Sequence, residues 1–301
     1  MRNKKTLSIF KLTLLLPFAI ILFFVFKQII PKADSNSMLK ESFWAHKVCQ
    51  NSVYDIVFVG DSRVYRGIDP YVIDSMLDGV KSFNYGFSSA GLDSVLIYKA
   101  VNILDKNGKR VLVFGVSPNS FIKTSLQNNH LNMLVSQTDE ELYIKQIFYP
   151  KLSVFNTYTL SDINKLLKGN HYYEEFNNQT GFVSSDRQPI DTLSSLIAYK
   201  HQFENNRISK KAIDDFCRTI YALQKAQIDV YCVRIPVSFQ MKLLEDQMTD
   251  SFFYSFSERL KLQGVKILNA NDALYNTYDG SHLNSKSATK YSQLIATMIA
   301  K

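Results

Sequence analysis

Cysteine is scarce in this 301-residue chain: Cys49, Cys217 and Cys232 are the only three, too few for a disulfide framework. Cys217 lies on a helical pattern of apolar residues and Cys232 inside the apolar run 228–235, so both read as small buried hydrophobes. Of the five histidines, His46, His130, His171 and His201 are scattered without metal-ligand spacing, and neither a metal nor another cofactor is expected. The glycine patterns GxGxxG and the P-loop are missing, which removes the main support for nucleotide binding, and so is the GxSxG elbow of α/β-hydrolases. Acidic residues are absent from residues 1–33, which carry Arg2, Lys4, Lys5, Lys11, Lys27 and Lys32. The formal charge of +8 therefore misleads, because the rest of the chain has 29 basic and 27 acidic side chains. A nearly neutral body gives no electrostatic footprint for nucleic acid.

What the N-terminus does have is an apolar run from Leu12 through Phe26 that continues past Lys27 to Ile30. Nineteen helical residues rise about 28 Å, close to the thickness of a bilayer core. The run is longer than a usual signal-peptide core, and residues 31–35 make a poor cleavage site, so an uncleaved single-pass anchor over 12–30 is expected. Four basic side chains precede it and two follow, which places residues 1–11 in the cytoplasm and everything beyond about residue 31 outside. Residues 31–53 read as a polar linker.

From residue 54 the pattern changes to short apolar runs alternating with helical periodicity. Residues 54–60, 82–85, 110–116, 228–235 and 265–268 read as buried strands, the first three closed by Gly60, Gly86 and Gly115. Helices are expected after Asp69-Pro70, around 92–103, over 209–226, around 239–262, and at the end of the chain with Asn284 or Ser285 as cap. Five strands alternating with helices predict an α/β domain over 54–301, with a parallel five-stranded sheet covered on both faces. Residues 117–208 lack this rhythm and read as a largely helical and irregular insertion. It leaves from the carboxyl end of a strand, where open α/β sheets bind ligands. It is either a wall or lid of the site or a surface excursion.

Chemistry is concentrated at two places. Gly60-Asp61-Ser62-Arg63 sets a serine after a glycine turn at the carboxyl end of the first strand, where free N–H groups can face an oxyanion. Asp279-Gly280-Ser281-His282, just before the last helix, packages a carboxylate and an imidazole three residues apart, as a serine nucleophile needs. GDS after the first strand, a glycine after the second and DxxH before the last helix together resemble the SGNH (GDSL-like) hydrolase superfamily, over roughly residues 54–300 outside the insertion. The resemblance implies an SGNH/flavodoxin-like fold with Ser62 as nucleophile, His282 as base and Asp279 as its orienter. It implies oxyanion donors in the N–H groups of Ser62 and Gly86. The third block departs from the family's Gly-x-Asn-Asp: the chain reads Gly115-Val116-Ser117-Pro118-Asn119, leaving either Ser117 or Asn119 as the further donor.

Arg63 and Arg234 stand where they could hold an anionic or hydroxyl-rich substrate, or make structural ion pairs. The expected activity is serine acyl transfer, as esterase or O-acetyltransferase, on ester groups of cell-envelope glycan. Membrane-anchored envelope acyltransferases with SGNH-like domains are similar in having one N-terminal span, which leaves room for a membrane-embedded partner that delivers the acyl group. The competing expectation is a catalytically weak SGNH-like module that binds glycan or scaffolds a membrane assembly.

Overall fold

Five short strands, β1 (Ile56–Gly60), β2 (Ser82–Gly86), β3 (Val111–Gly115), β6 (Asp229–Arg234) and β7 (Lys266–Asn269), pair in parallel in the order β2-β1-β3-β6-β7. Between β3 and β6, strands β4 (His171–Phe176) and β5 (Val183–Gln188) form a separate antiparallel hairpin. The computed structural model describes residues 37–300 except 128, 154–163, 165, 166 and 170, together with 15, 17–22 and 25. The chain divides into two units, 1–34 and 35–301, and the fold is that of the second. The anchor expected over 12–30 lies largely outside the described residues, among which no helix is long and apolar enough to cross a membrane.

Strands β1, β2 and β3 are buried throughout, and Ile56 stands opposite Ser82 on one side and Val111 on the other. Successive strand residues point to opposite faces, and each face has its own core. Val57, Val59, Leu112, Phe114 and Cys232 join one cluster; Ile56, Phe58, Val113, Tyr231 and Val233 join the other. Residues 37–48, read as linker, are instead a helix, α1 (Ser37–Val48), that buries Phe43, Trp44, Ala45 and Lys47. Next come α2 (Ser62–Gly67), α3 (Pro70–Met76) and α4 (Ser94–Asn102). The insertion holds α5 (Lys123–Gln127), α6 (Asn129–Val135), α7 (Asp139–Leu152) and α8 (Thr192–Asn205) besides the hairpin. Helix α9 (Lys210–Lys225) returns to the sheet.

The long stretch after β6 is two helices, α10 (Phe239–Met248) and α11 (Phe252–Leu262), broken where Asp250 and Ser251 take left-handed backbone. The last helix, α12 (Ser285–Ile299), is capped by Asn284, whose side chain accepts from the Ser287 N–H. Helices α2, α3 and α12 pack on the face that carries Phe58 and Val113, while α1, α4, α9 and α11 cover the other. Cys217 and Cys232 are buried thiols, and burial raises both above the ordinary range. The strand order reverses direction at β1, so the crevice beyond the carboxyl ends of β1 and β3 is where such a sheet receives a ligand.

Candidate active site

Strands β1, β2 and β3 end in glycine for a steric reason. A side chain at Gly60 or Gly115 would overlap Val64, and one at Gly86 would stand 2.9 Å from the Tyr65 nitrogen. The first turn of α2 is thus seated directly on the strand ends. Asp61 caps it: one carboxylate oxygen accepts the Arg63 N–H at 2.9 Å, and the other accepts the Ser117 hydroxyl at 3.2 Å. Ser62, the first helical residue, is partly exposed, and its N–H has no acceptor among the described residues.

The second half of the site comes from the loop before α12. Gly280 takes a left-handed φ of +88°, which turns the chain so that Asp279 Oδ1 accepts the N–H groups of Ser281 and His282 at 2.9 and 2.8 Å. Asp279 Oδ2 then lies 2.7 Å from His282 Nδ1, and His282 Nε2 lies 2.8 Å from Ser62 Oγ. The Tyr278 ring stacks on the imidazole at 5.7 Å. Burial alone would raise the Asp279 carboxyl, but the His282 charge, its ring hydrogen bond and the two loop N–H groups together hold it at about 2. An ionised Asp279 makes Nδ1 the protonated ring nitrogen, so Nε2 accepts the Ser62 hydroxyl. The two loops, 217 residues apart in the chain between Ser62 and Asp279, supply a hydroxyl, a base and an orienting carboxylate in one line.

The expected oxyanion donors are arranged differently. The Gly86 N–H does not face the crevice: it donates at 3.1 Å to Asn84 Oδ1. Asn84 is itself fixed in β2, its Nδ2 donating to the Val64 and Ile68 carbonyls at 2.8 and 2.7 Å, so its oxygen takes the nearest free N–H. The next turn instead carries Ser88 and Ser89, whose N–H groups have no acceptor among the described residues, with Ser89 held at a left-handed φ of +54°. Ser117 spends its hydroxyl on Asp61. Asn119 has its carbonyl oxygen held by Ser125 Oγ at 3.0 Å and Gln202 Nε2 at 2.6 Å, while its Nδ2 makes no hydrogen bond among the described residues. Of the two third-block candidates, Asn119 is the one with a donor to spare.

Arg63 and Arg234 are not on the crevice wall. Both are buried and share Glu245 of α10: Arg63 lies 2.6 Å from one oxygen and Arg234 3.1 Å from the other. A fully buried carboxylate between two guanidinium groups, with Asp61 beside Arg63, makes a nearly neutral internal cluster, which is the only form in which such charges are tolerated away from water. Arg63 Nε also donates to Ser281 Oγ at 3.1 Å, and Ser281 Oγ donates to Tyr199 OH of α8 at 3.0 Å. The residue after the nucleophile is therefore a strut that ties α2 to the Asp279–His282 loop from behind. Glu245 and Tyr199 carry no motif, and no sequence signal marks them; Ser281 lies inside the Asp279–His282 motif without a role read for it. Among the described residues no group of His, Cys, Asp or Glu is arranged to hold a metal.

No protein-family model matches the chain, and neither does any curated protein. Among solved structures, a candidate platelet activating factor from Streptococcus pneumonia is 10% identical with a TM-score of 0.40, the alignment covering 91% of this chain and 97% of that one. Est24, a carbohydrate acetylesterase from Sinorhizobium meliloti, is 10% identical with a TM-score of 0.35, over 81% of this chain and 97% of its own.

Proposed function

We propose that this chain is a membrane-tethered, extracytoplasmic serine acyl-transfer enzyme of SGNH type, an esterase or O-acetyltransferase acting on ester groups of cell-envelope glycan. The reading rests on the Ser62–His282–Asp279 line, with 2.8 and 2.7 Å between successive partners. Ser62 Oγ attacks the ester carbonyl carbon while its proton passes to His282 Nε2. The imidazolium is stabilised by the ionised Asp279. The negative oxygen of the tetrahedral intermediate faces the free N–H groups of Ser62 and of the Ser88–Ser89 turn, with the Asn119 amide as a further donor. Collapse returns the proton from Nε2 to the departing alkoxide and leaves an acyl group on Ser62. Water or a sugar hydroxyl then gives its proton to Nε2 and attacks the acyl carbon, and Nε2 passes that proton to Ser62 Oγ as the acyl group departs. Hydrolase and transferase share every step but the acceptor.

One observation favours a second reading, a catalytically weak glycan-binding module: Gly86 and Ser117, two of the four expected donors, are spent inside the protein. The discriminating experiment incubates the full chain with 4-nitrophenyl acetate, with and without a glycan acceptor, beside Ser62→Ala, and treats both with a serine-directed phosphonate. Ser62-dependent release of nitrophenol, or a phosphonate adduct on Ser62, supports the enzyme. A folded wild-type chain with neither belongs to the binding module.

A further inference from the structure

A cavity of about 600 Å³ at the functional edge of the sheet takes no part in the proton relay. It begins one helical turn from the nucleophile. Tyr65 and Arg66, which line it, stand three and four residues after Ser62 on α2, and such positions are neighbours on one helix face. Ser88 and Ser89, the turn with free N–H groups, line it too. Arg66 also lies 5.9 Å from the Tyr278 ring that stacks on His282. Its remaining walls come from α1, through Lys40 and Trp44, and from the insertion, through Ser125, His130 and Gln202. The volume falls within the roughly 300–1,000 Å³ of small-molecule sites.

The wall sets many polar groups among its apolar surface, which suits a sugar better than a long acyl chain. Hydroxyls, an amide and cations around two aromatic side chains suit a sugar, whose ring carbons lie against aromatic faces and whose hydroxyls need partners. The charge is one-sided, because no Asp or Glu lines the cavity. The Arg66 guanidinium is balanced from behind by Glu174. Lys40 makes no ion pair among the described residues, since the adjacent Glu41 is taken by Lys145 at 2.7 Å. Trp44 Nε1 and His130 Nδ1, on two lining residues, are buried without a partner among the described residues.

We infer that this cavity is the subsite for the alcohol part of the ester, and that it selects a carbohydrate bearing a carboxylate or phosphate, with Lys40 supplying the unmatched positive charge. The inference rests on the acyl-transfer reading of Ser62 and places the glycan, not the acyl group, in the cavity. It is tested on the full chain by titration calorimetry at low salt with three unacetylated probes: an oligogalacturonide, a glycerol-phosphate oligomer and a neutral xylo-oligosaccharide. At least one anionic probe should bind about tenfold more tightly than the neutral one, and the anion that does so identifies the charge carried. The excess should vanish in Lys40→Gln and shrink as salt is raised, the Debye length falling to about 10 Å at 0.1 M. Equal affinities for all three probes, no binding at all, or an excess that survives Lys40→Gln overturns it. Because turnover of 4-nitrophenyl acetate is read separately, a Ser62-dependent esterase without charge preference sinks this inference and leaves the function standing. Absence of Ser62-dependent chemistry sinks the function, and the binding data then decide the subsite.

Discussion

Asp279 works twice, as the partner of His282 and as the knot of its own loop, and both roles depend on its charge. Its carboxyl is held at about 2, below the ordinary value near 3.9. A depressed acid adds stability that is complete above its unfolded value and is lost as pH falls through the folded one. Asp279→Asn should therefore unfold at lower urea than wild type at pH 6, by about 2 kcal/mol, with the gap falling to less than half by about pH 2.5 and closing only below about pH 2. A gap that is undiminished at pH 2.5 would mean the loop is held by shape and not by charge. The third-block donor is decided at the same scale. Asn119→Ala should lower kcat on the order of 10²-fold with little change in KM, as the loss of one oxyanion donor does. Ser117→Ala, which removes a support of Asp61, should cost less. The reverse ranking in steady-state kinetics would reassign the donor. The serine, the acid and the base were legible because each sits in a motif tied to a strand end or a helix start. A spacing argument cannot see that Asn84 captures the Gly86 N–H, and of the two readings open for Arg63 and Arg234 it cannot choose the ion pair, because their partner Glu245 lies on a helix 182 residues from Arg63.

The five parallel strands were legible as elements because their apolar residues come in short stretches bounded by turn residues, even where polar ones are interleaved as in SFNYG, and the observed ends differ from the expected ones by at most two residues. Helix α1 was not, because its sequence, SMLKESFWAHKV, mixes a buried aromatic pair with lysines that look solvated. Lys47 shows the difficulty. Its ammonium is buried, donates to the Gly181 carbonyl at 2.7 Å, and lies between 5.1 and 5.5 Å from the rings of Phe43, Trp44, Tyr65 and Phe87. The β4–β5 hairpin was hidden likewise, since HYYEEF and VSSDRQ lack the apolar signature of a strand. Burial lowers Lys47 well below its ordinary range. The unfolded chain then binds a proton that the folded one does not, so stability rises with pH between the folded value and about 10.4. Lys47→Met keeps the apolar stem against the rings and removes that titration. Its stability relative to wild type should be greatest at pH 7 and decline toward pH 10, measured by chemical denaturation. A difference independent of pH would mean that the ring cage and the carbonyl compensate the buried charge in full.

At the scale of the whole molecule, the proposed anchor requires charge and function to agree on a side of the membrane. The body beyond residue 33 has 29 basic and 27 acidic side chains, so it carries no strong preference of its own. Orientation then falls to the residues flanking the apolar run: Arg2, Lys4, Lys5 and Lys11 before it, Lys27 and Lys32 at its far end. Basic residues near the ends of a span are retained in the cytoplasm, and four against two favours an N-terminus inside. Fusing export-dependent alkaline phosphatase after Lys301 should give an active enzyme, and a reporter that works only in the cytoplasm should be silent at the same position. Replacing Arg2, Lys4, Lys5 and Lys11 with glutamine removes the larger cluster and should weaken or invert the pattern. If the cytoplasmic reporter is active in the unmodified chain, the catalytic line of Ser62, His282 and Asp279 faces the cytoplasm, and envelope glycan is excluded as the substrate while the serine chemistry is untouched.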